Sequence, residues 1–165
     1  LKIVITGPEC SGKTTLVHGL KKHLVFGQVN EIAREYLQLR NNSYDMTSLH
    51  EIALLQRWEE KSKTDYPIVI CDTDLLTIII WKLEKYQIED PNLIHMWLAS
   101  KKDMFFLCSP DLPWEYDAMR ENPNDRDRLF TIYERYLQKF NQPYQILKGS
   151  KGDRLNQVLE YVQSL

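Results

Sequence analysis

The chain has 165 residues, a formal net charge of −2 and 43% hydrophobic residues, enough for one domain with a real core. Its mixed charges give no basic footprint, which argues against a nucleic-acid ligand. No apolar run approaches the ~18 residues of a membrane span, and no signal peptide is visible.

Leu1 to Ile5 reads as a strand buried on both faces of a parallel sheet. The stretch Gly7-Pro8-Glu9-Cys10-Ser11-Gly12-Lys13-Thr14 follows it and fits Gly-x-x-x-x-Gly-Lys-[Ser/Thr]. A helix-period segment from Thr15 to Leu24 comes next, so the motif lies between a strand and a helix, as a phosphate loop requires. Glycines let main-chain N–H groups close around a phosphate while the helix N-terminus adds positive potential. Lys13 reaches the outer phosphates and the Thr14 hydroxyl can ligate magnesium. Residues 7–15 therefore make up the predicted ATP-binding segment.

A second strand is predicted near Gln28 to Ile32, running into Ala33-Arg34-Glu35-Tyr36. Thr47 is a plausible N-cap for a helix through about Lys63. After Pro67, Ile68 to Cys71 reads as a third strand, ending in Asp72-Thr73-Asp74. Leu75 to Tyr86 is a very apolar helix, which places Trp81 in packing. Another helix runs from Pro91 to about Lys101 and carries Trp97. Met104 to Cys108 is a fourth strand. The polar, proline-bearing stretch 111–128 looks like a lid, and a long helix follows it. Tyr144 to Leu147 is a fifth strand, and an amphipathic helix carries Leu155, Val158, Leu159, Val162 and Leu165. Three cysteines form no disulfide framework, and Cys71 and Cys108 fall in apolar strands, a usage that suits a reducing cytoplasm.

Strands alternating with helices predict a three-layer α/β fold, a five-stranded parallel sheet with helices on both faces. Its ligands belong at the carboxyl ends of the strands. Asp72, ending a hydrophobic strand, is placed to hold magnesium with Thr14. Asp74 is either a substrate ligand or the N-cap of the helix that follows it. Glu35 is the first choice to accept the proton of an acceptor hydroxyl, with Asp72 as the fallback. Structural ion pairing of Arg34 and Glu35 competes with that role. At least one of Arg120, Arg126 and Arg128 is expected to touch phosphate, the alternative being local salt bridges with Asp125 and Asp127. Trp114 and Tyr36 could sandwich a flat ring.

With the loop, Ala33-Arg34-Glu35-Tyr36, Cys71-Asp72-Thr73-Asp74-Leu75-Leu76-Thr77, Pro113-Trp114-Glu115 and Asp125-Arg126-Asp127-Arg128 together, the chain resembles the nicotinamide riboside kinase domain of the NadR type. That resemblance implies phosphorylation of the 5′-hydroxyl of nicotinamide riboside by ATP and magnesium, giving nicotinamide mononucleotide. The positive ring of that substrate suits aromatic faces and the carboxylates of Glu35 and Asp74. Another nucleoside or a nucleoside monophosphate is the alternative acceptor. A switch GTPase is disfavoured because no Asp-x-x-Gly occurs in the chain. The chain opens on Leu1, straight into a strand, so a place within a longer multidomain protein is compatible with the sequence, as is a homo-oligomer.

Overall fold

Ile3, Val4 and Ile5 are wholly buried because the strand that carries them is flanked by strands on both edges and helices on both faces. The computed structural model describes residues 1–116 and 124–165. In chain order the elements are β1 (Lys2–Thr6), α1 (Lys13–Leu20), β2 (Gly27–Val29), α2 (Ile32–Gln38), α3 (Met46–Ser62), β3 (Val69–Asp72), α4 (Leu75–Tyr86), α5 (Pro91–Leu98), β4 (Met104–Cys108), α6 (Arg126–Lys139), β5 (Tyr144–Leu147) and α7 (Lys151–Gln163). The sheet has order β2-β3-β1-β4-β5, and every pairing is parallel.

Alternating strand residues feed two separate cores. Val4, Cys71, Phe105 and Leu107 pack with α2–α6, while Ile3, Ile5, Ile70 and Phe106 pack with α1 and α7. Trp97 is among the largest fully buried side chains. It packs edge-on to Phe105 and Phe140 at centroid distances of 6.0 and 5.7 Å, and truncating such a side chain costs about 3–5 kcal/mol.

Several boundaries differ from the sequence reading. β2 ends at Val29 because only Gly27–Val29 pair with β3, and Ile32 already opens α2. Asp45, not Thr47, caps α3, with its carboxylate and the Ser48 hydroxyl closing a capping box. α5 stops at Leu98, and α7 ends before Leu165, which stays exposed. Among the described residues no helix is long and apolar enough to cross a membrane. Cys71 and Cys108 are buried free thiols.

Candidate active site

The chain leaves β1 through a turn that only glycine fits. Gly7 has φ of 134°, and a Cβ there would lie 2.8 Å from the Cys108 carbonyl oxygen. Gly12, at φ 79°, precedes α1 and brings no side chain to cap it, so the helix's first N–H groups are available to an anion. The Ser11 hydroxyl donates to the Pro8 carbonyl at 2.7 Å. Lys13 donates to the carbonyls of Gly7 and Pro8 at 3.0 and 2.8 Å. The predicted phosphate segment thus forms a closed loop over its own lysine.

Residues 112–115 lie against this loop. The Glu115 N–H donates to the Cys10 thiol at 3.1 Å. Arg126, at the start of α6, donates to the carbonyls of Cys10 and Leu112 at 3.2 and 2.9 Å, with its guanidinium carbon 5.7 Å from the centre of the Trp114 ring. Arg126 is therefore at the phosphate loop. Arg128 is not: its guanidinium pairs with Asp125 at 2.6 Å and with Glu84 of α4. Arg120 lies outside the described residues.

A cleft of about 120 Å³ opens beside the loop, lined by loop residues including Gly7, Glu9, Lys13, Thr14 and Thr15, and on its far side by Glu31, Arg34, Leu37, Thr77, Trp81 and Tyr133. Glu31 and Arg34 are one helical turn apart at the start of α2, with Arg34 Nε 3.9 Å from the Glu31 carboxylate. Glu35 is exposed and does not line the cleft. One residue along a helix is about 100° of rotation, so Arg34 and Glu35 cannot share a face. Because β2 ends early, the carboxylate next to the strand end is Glu31. Tyr36 also turns away: its hydroxyl donates to Glu51 of α3, and Arg40 stacks 4.7 Å over its ring. Trp81 is half-buried: it packs against the core and the Tyr44 ring, as its apolar helix suggests, and it also lines the cleft. The Tyr133 hydroxyl donates to Thr77 Oγ1 at 3.2 Å, and burial pushes the Tyr133 phenol far up, which keeps it a neutral donor.

Asp72 ends β3 in register with Ile5 of β1 and is 3% exposed. Among the described residues its Oδ1 has no hydrogen-bond partner, nor does Thr6 Oγ1 at the end of the neighbouring strand. Buried oxygens without donors are costly, and an oxygen-seeking cation carrying its own waters would satisfy them. No group of three or more His, Cys, Asp or Glu that could cage a metal occurs among the described residues. Magnesium is commonly held by one or two protein oxygens plus phosphates and water. Asp72 and the Thr14 hydroxyl fit that donor set. Burial pushes the Cys108 thiol up to about 11, opposed by Lys13 and Arg154 and assisted by Asp72, so all of these charges converge on one strand end.

Asp74 has a different job. It caps α4 through the Leu76 N–H at 3.1 Å and accepts the Trp97 indole N–H at 2.7 Å. It faces Lys102 at 3.5 Å and is 1% exposed. Burial raises its pKa against the pull of Lys102. Both carboxylate oxygens are engaged below the sheet edge, and Asp74 does not reach the cleft. A second cleft, of about 330 Å³, lies between α1 and α7. Thr15, Leu16, Gly19, Leu112, Gly152 and Leu155 line it, and it reaches Gly12.

A phosphate loop at the carboxyl end of the central strand of a β2-β3-β1-β4-β5 parallel sheet defines a P-loop nucleotide-binding domain. The chain belongs to the AAA domain family, whose model matches residues 2–154. No curated protein matches the sequence. Among solved structures, the NadR protein in complex with NR superposes with TM-score 0.81 at 20% identity, covering 99% of this chain and 50% of that one. NadR in complex with NAD and AMP-PNP gives 0.80 at 20%, covering 99% and 48%. This chain thus spans about half the length of the NadR chains. Deoxyadenosine kinase from M. mycoides gives 0.74 at 13%, covering 100% of both chains. Thymidylate kinase from Ehrlichia chaffeensis gives 0.68 at 16%, covering 99% and 98%. At these identities the likeness is one of fold, and that fold is the P-loop kinase fold.

Proposed function

We propose that the protein transfers the γ-phosphoryl group of ATP to the 5′-hydroxyl of nicotinamide riboside, producing nicotinamide mononucleotide and ADP. The observation that carries this reading is the sharing of one cleft by Lys13 and Thr14 on one side and Glu31, Trp81 and Tyr133 on the other. A phosphoryl donor and a flat, hydroxyl-bearing acceptor can meet there.

Lys13 leaves the Gly7 and Pro8 carbonyls for the β- and γ-phosphates, where its charge counts most as negative charge spreads over the transferring group. Glu31 takes the proton from the 5′-hydroxyl as the new P–O bond forms and the bond to the ADP oxygen breaks. Asp72 and Thr14 would hold magnesium, which would neutralise phosphate charge when bound. Arg126 brings its positive charge to the Cys10 carbonyl of the loop, where it favours an outer phosphate. Trp81 offers a face, and Glu31 and Glu9 a negative field, to a cationic ring. The cleft between α1 and α7 takes the donor's base.

The likeness of fold to NadR, whose structures include a complex with NR, supports this acceptor. Whole-chain likeness to deoxyadenosine kinase and thymidylate kinase favours a second reading, with another nucleoside or nucleoside monophosphate as acceptor. A coupled ADP-release screen over nicotinamide riboside, adenosine, uridine, thymidine and thymidylate decides between them. Fastest turnover with nicotinamide riboside is expected. Preference for another acceptor selects the second reading, and no release above the acceptor-free background with any of them removes the kinase assignment.

A further inference from the structure

Arg154 is 1% exposed, in the first turn of α7 on the face that buries Val158. An apolar side chain would satisfy the packing there at lower cost, since removing a cation from water costs several kcal/mol. What the guanidinium does instead is hold main-chain carbonyls. Nη1 donates to Ser11 O of the phosphate loop at 2.6 Å, Nη2 to Ser109 O just past β4 at 3.0 Å, and Nε to Gly149 O just past β5 at 3.0 Å. Nη2 also pairs with the Asp111 carboxylate, whose other oxygen accepts the Gly149 N–H at 2.8 Å. A planar fork of fixed donors is suited to setting several carbonyls at once.

The consequence lies on the other side of each peptide. No peptide bond among the described residues is cis, and in a trans peptide the C=O and N–H point in opposite directions. Drawing the Ser11 carbonyl toward Arg154 therefore turns the Gly12 N–H away from it, toward the cleft that Ser11 and Gly12 line.

We infer that Arg154 is a positioning residue that presets the Ser11–Gly12 peptide for the β-phosphate of a nucleoside diphosphate or triphosphate, with Asp111 fixing the guanidinium in place. The inference rests on the phosphate-loop reading above and is independent of the acceptor.

The test is titration calorimetry with magnesium, AMP and ADP and no acceptor, on wild type, R154K and D111N, alongside thermal melts. Lysine keeps the charge but reaches fewer carbonyls, so the preference for ADP over AMP should fall about tenfold or more in R154K. AMP affinity should stay within about twofold, and D111N should show a smaller loss of the same kind. An ADP-to-AMP preference unchanged in both variants, or equal weakening of both nucleotides, overturns the inference. Should R154K not fold, D111N alone decides it by the same ratio. A wild-type protein that binds ADP no better than AMP overturns the phosphate-loop reading itself, and the inference with it.

Discussion

The Lys13 ammonium lies 2.8 Å from the carbonyl oxygen of Pro8, in its own loop. A buried or half-buried ammonium needs acceptors, and the loop supplies two until phosphates replace them. Because these contacts are local and the lysine serves the transition state most, K13A should separate function from folding. The expected loss in kcat is at least ~100-fold, with a stability change under about 1 kcal/mol. Steady-state kinetics and a thermal melt on the same sample check it, and unchanged turnover would remove the role given to the loop.

Glu31, the extended N-cap of α2, lies against the cleft, while Glu35, inside the helix, is exposed to solvent. E31Q should reduce kcat by about 100-fold or more, the range expected when a general base is lost. E35Q should leave kcat and KM within about twofold. The reverse pattern would return the proton-accepting role to the position first suggested by sequence.

Asp72 keeps a buried carboxylate oxygen without a partner, a cost tolerated at functional sites. Asparagine at that position removes the charge while preserving the shape. D72N should therefore hold or gain stability, by up to about 1 kcal/mol, while kcat falls at least ~100-fold and half-saturating magnesium rises. A magnesium titration of activity with a parallel denaturation curve reads both effects. Loss of stability with unchanged magnesium dependence would contradict it.

Asp103 accepts the Lys2 main-chain N–H at 2.7 Å, and that bond, against partial burial and with help from Lys101, holds its carboxyl below the ordinary 3.8. A depressed folded-state pKa means that the unfolded chain binds the proton more readily. The stabilisation is therefore present above about pH 4 and is lost as pH falls through the folded value. Urea melts of wild type and D103N should differ most near neutrality and converge toward pH 2. A gap that stays constant across that range would show that the proton linkage is absent.

Much of the site was legible because its signals are contiguous. The phosphate loop is consecutive residues acting through their own main chain, and Asp72 simply ends an apolar run. Arg126 belongs to an arginine-bearing segment just past β4, the strand-end position at which a phosphate-binding cation is expected. The remainder depended on orientation. Trp81 lies in a helix so uniformly apolar, Leu75 to Trp81 without a charge, that no polar face indicates which side meets the cleft. Tyr133 and Thr77 are ordinary helix residues until α6 and α4 are packed together. Arg154 did leave a trace: a lone cation one turn before Val158 on the buried stripe of α7 is out of pattern.

Residue order alone determined the alternation of strands and helices, the anion-gripping loop and the carboxylate at the end of β3, because each arises from local geometry and hydrophobic period. Only tertiary structure decided that Glu31 faces the cleft while Glu35 faces water, that Asp74 is spent on Trp97 and Lys102, and that Arg128 pairs with Glu84. Those outcomes turn on where sheet pairing ends a strand and a helix begins, and on which neighbours then meet each helix face, and neither is fixed until the partners are in place.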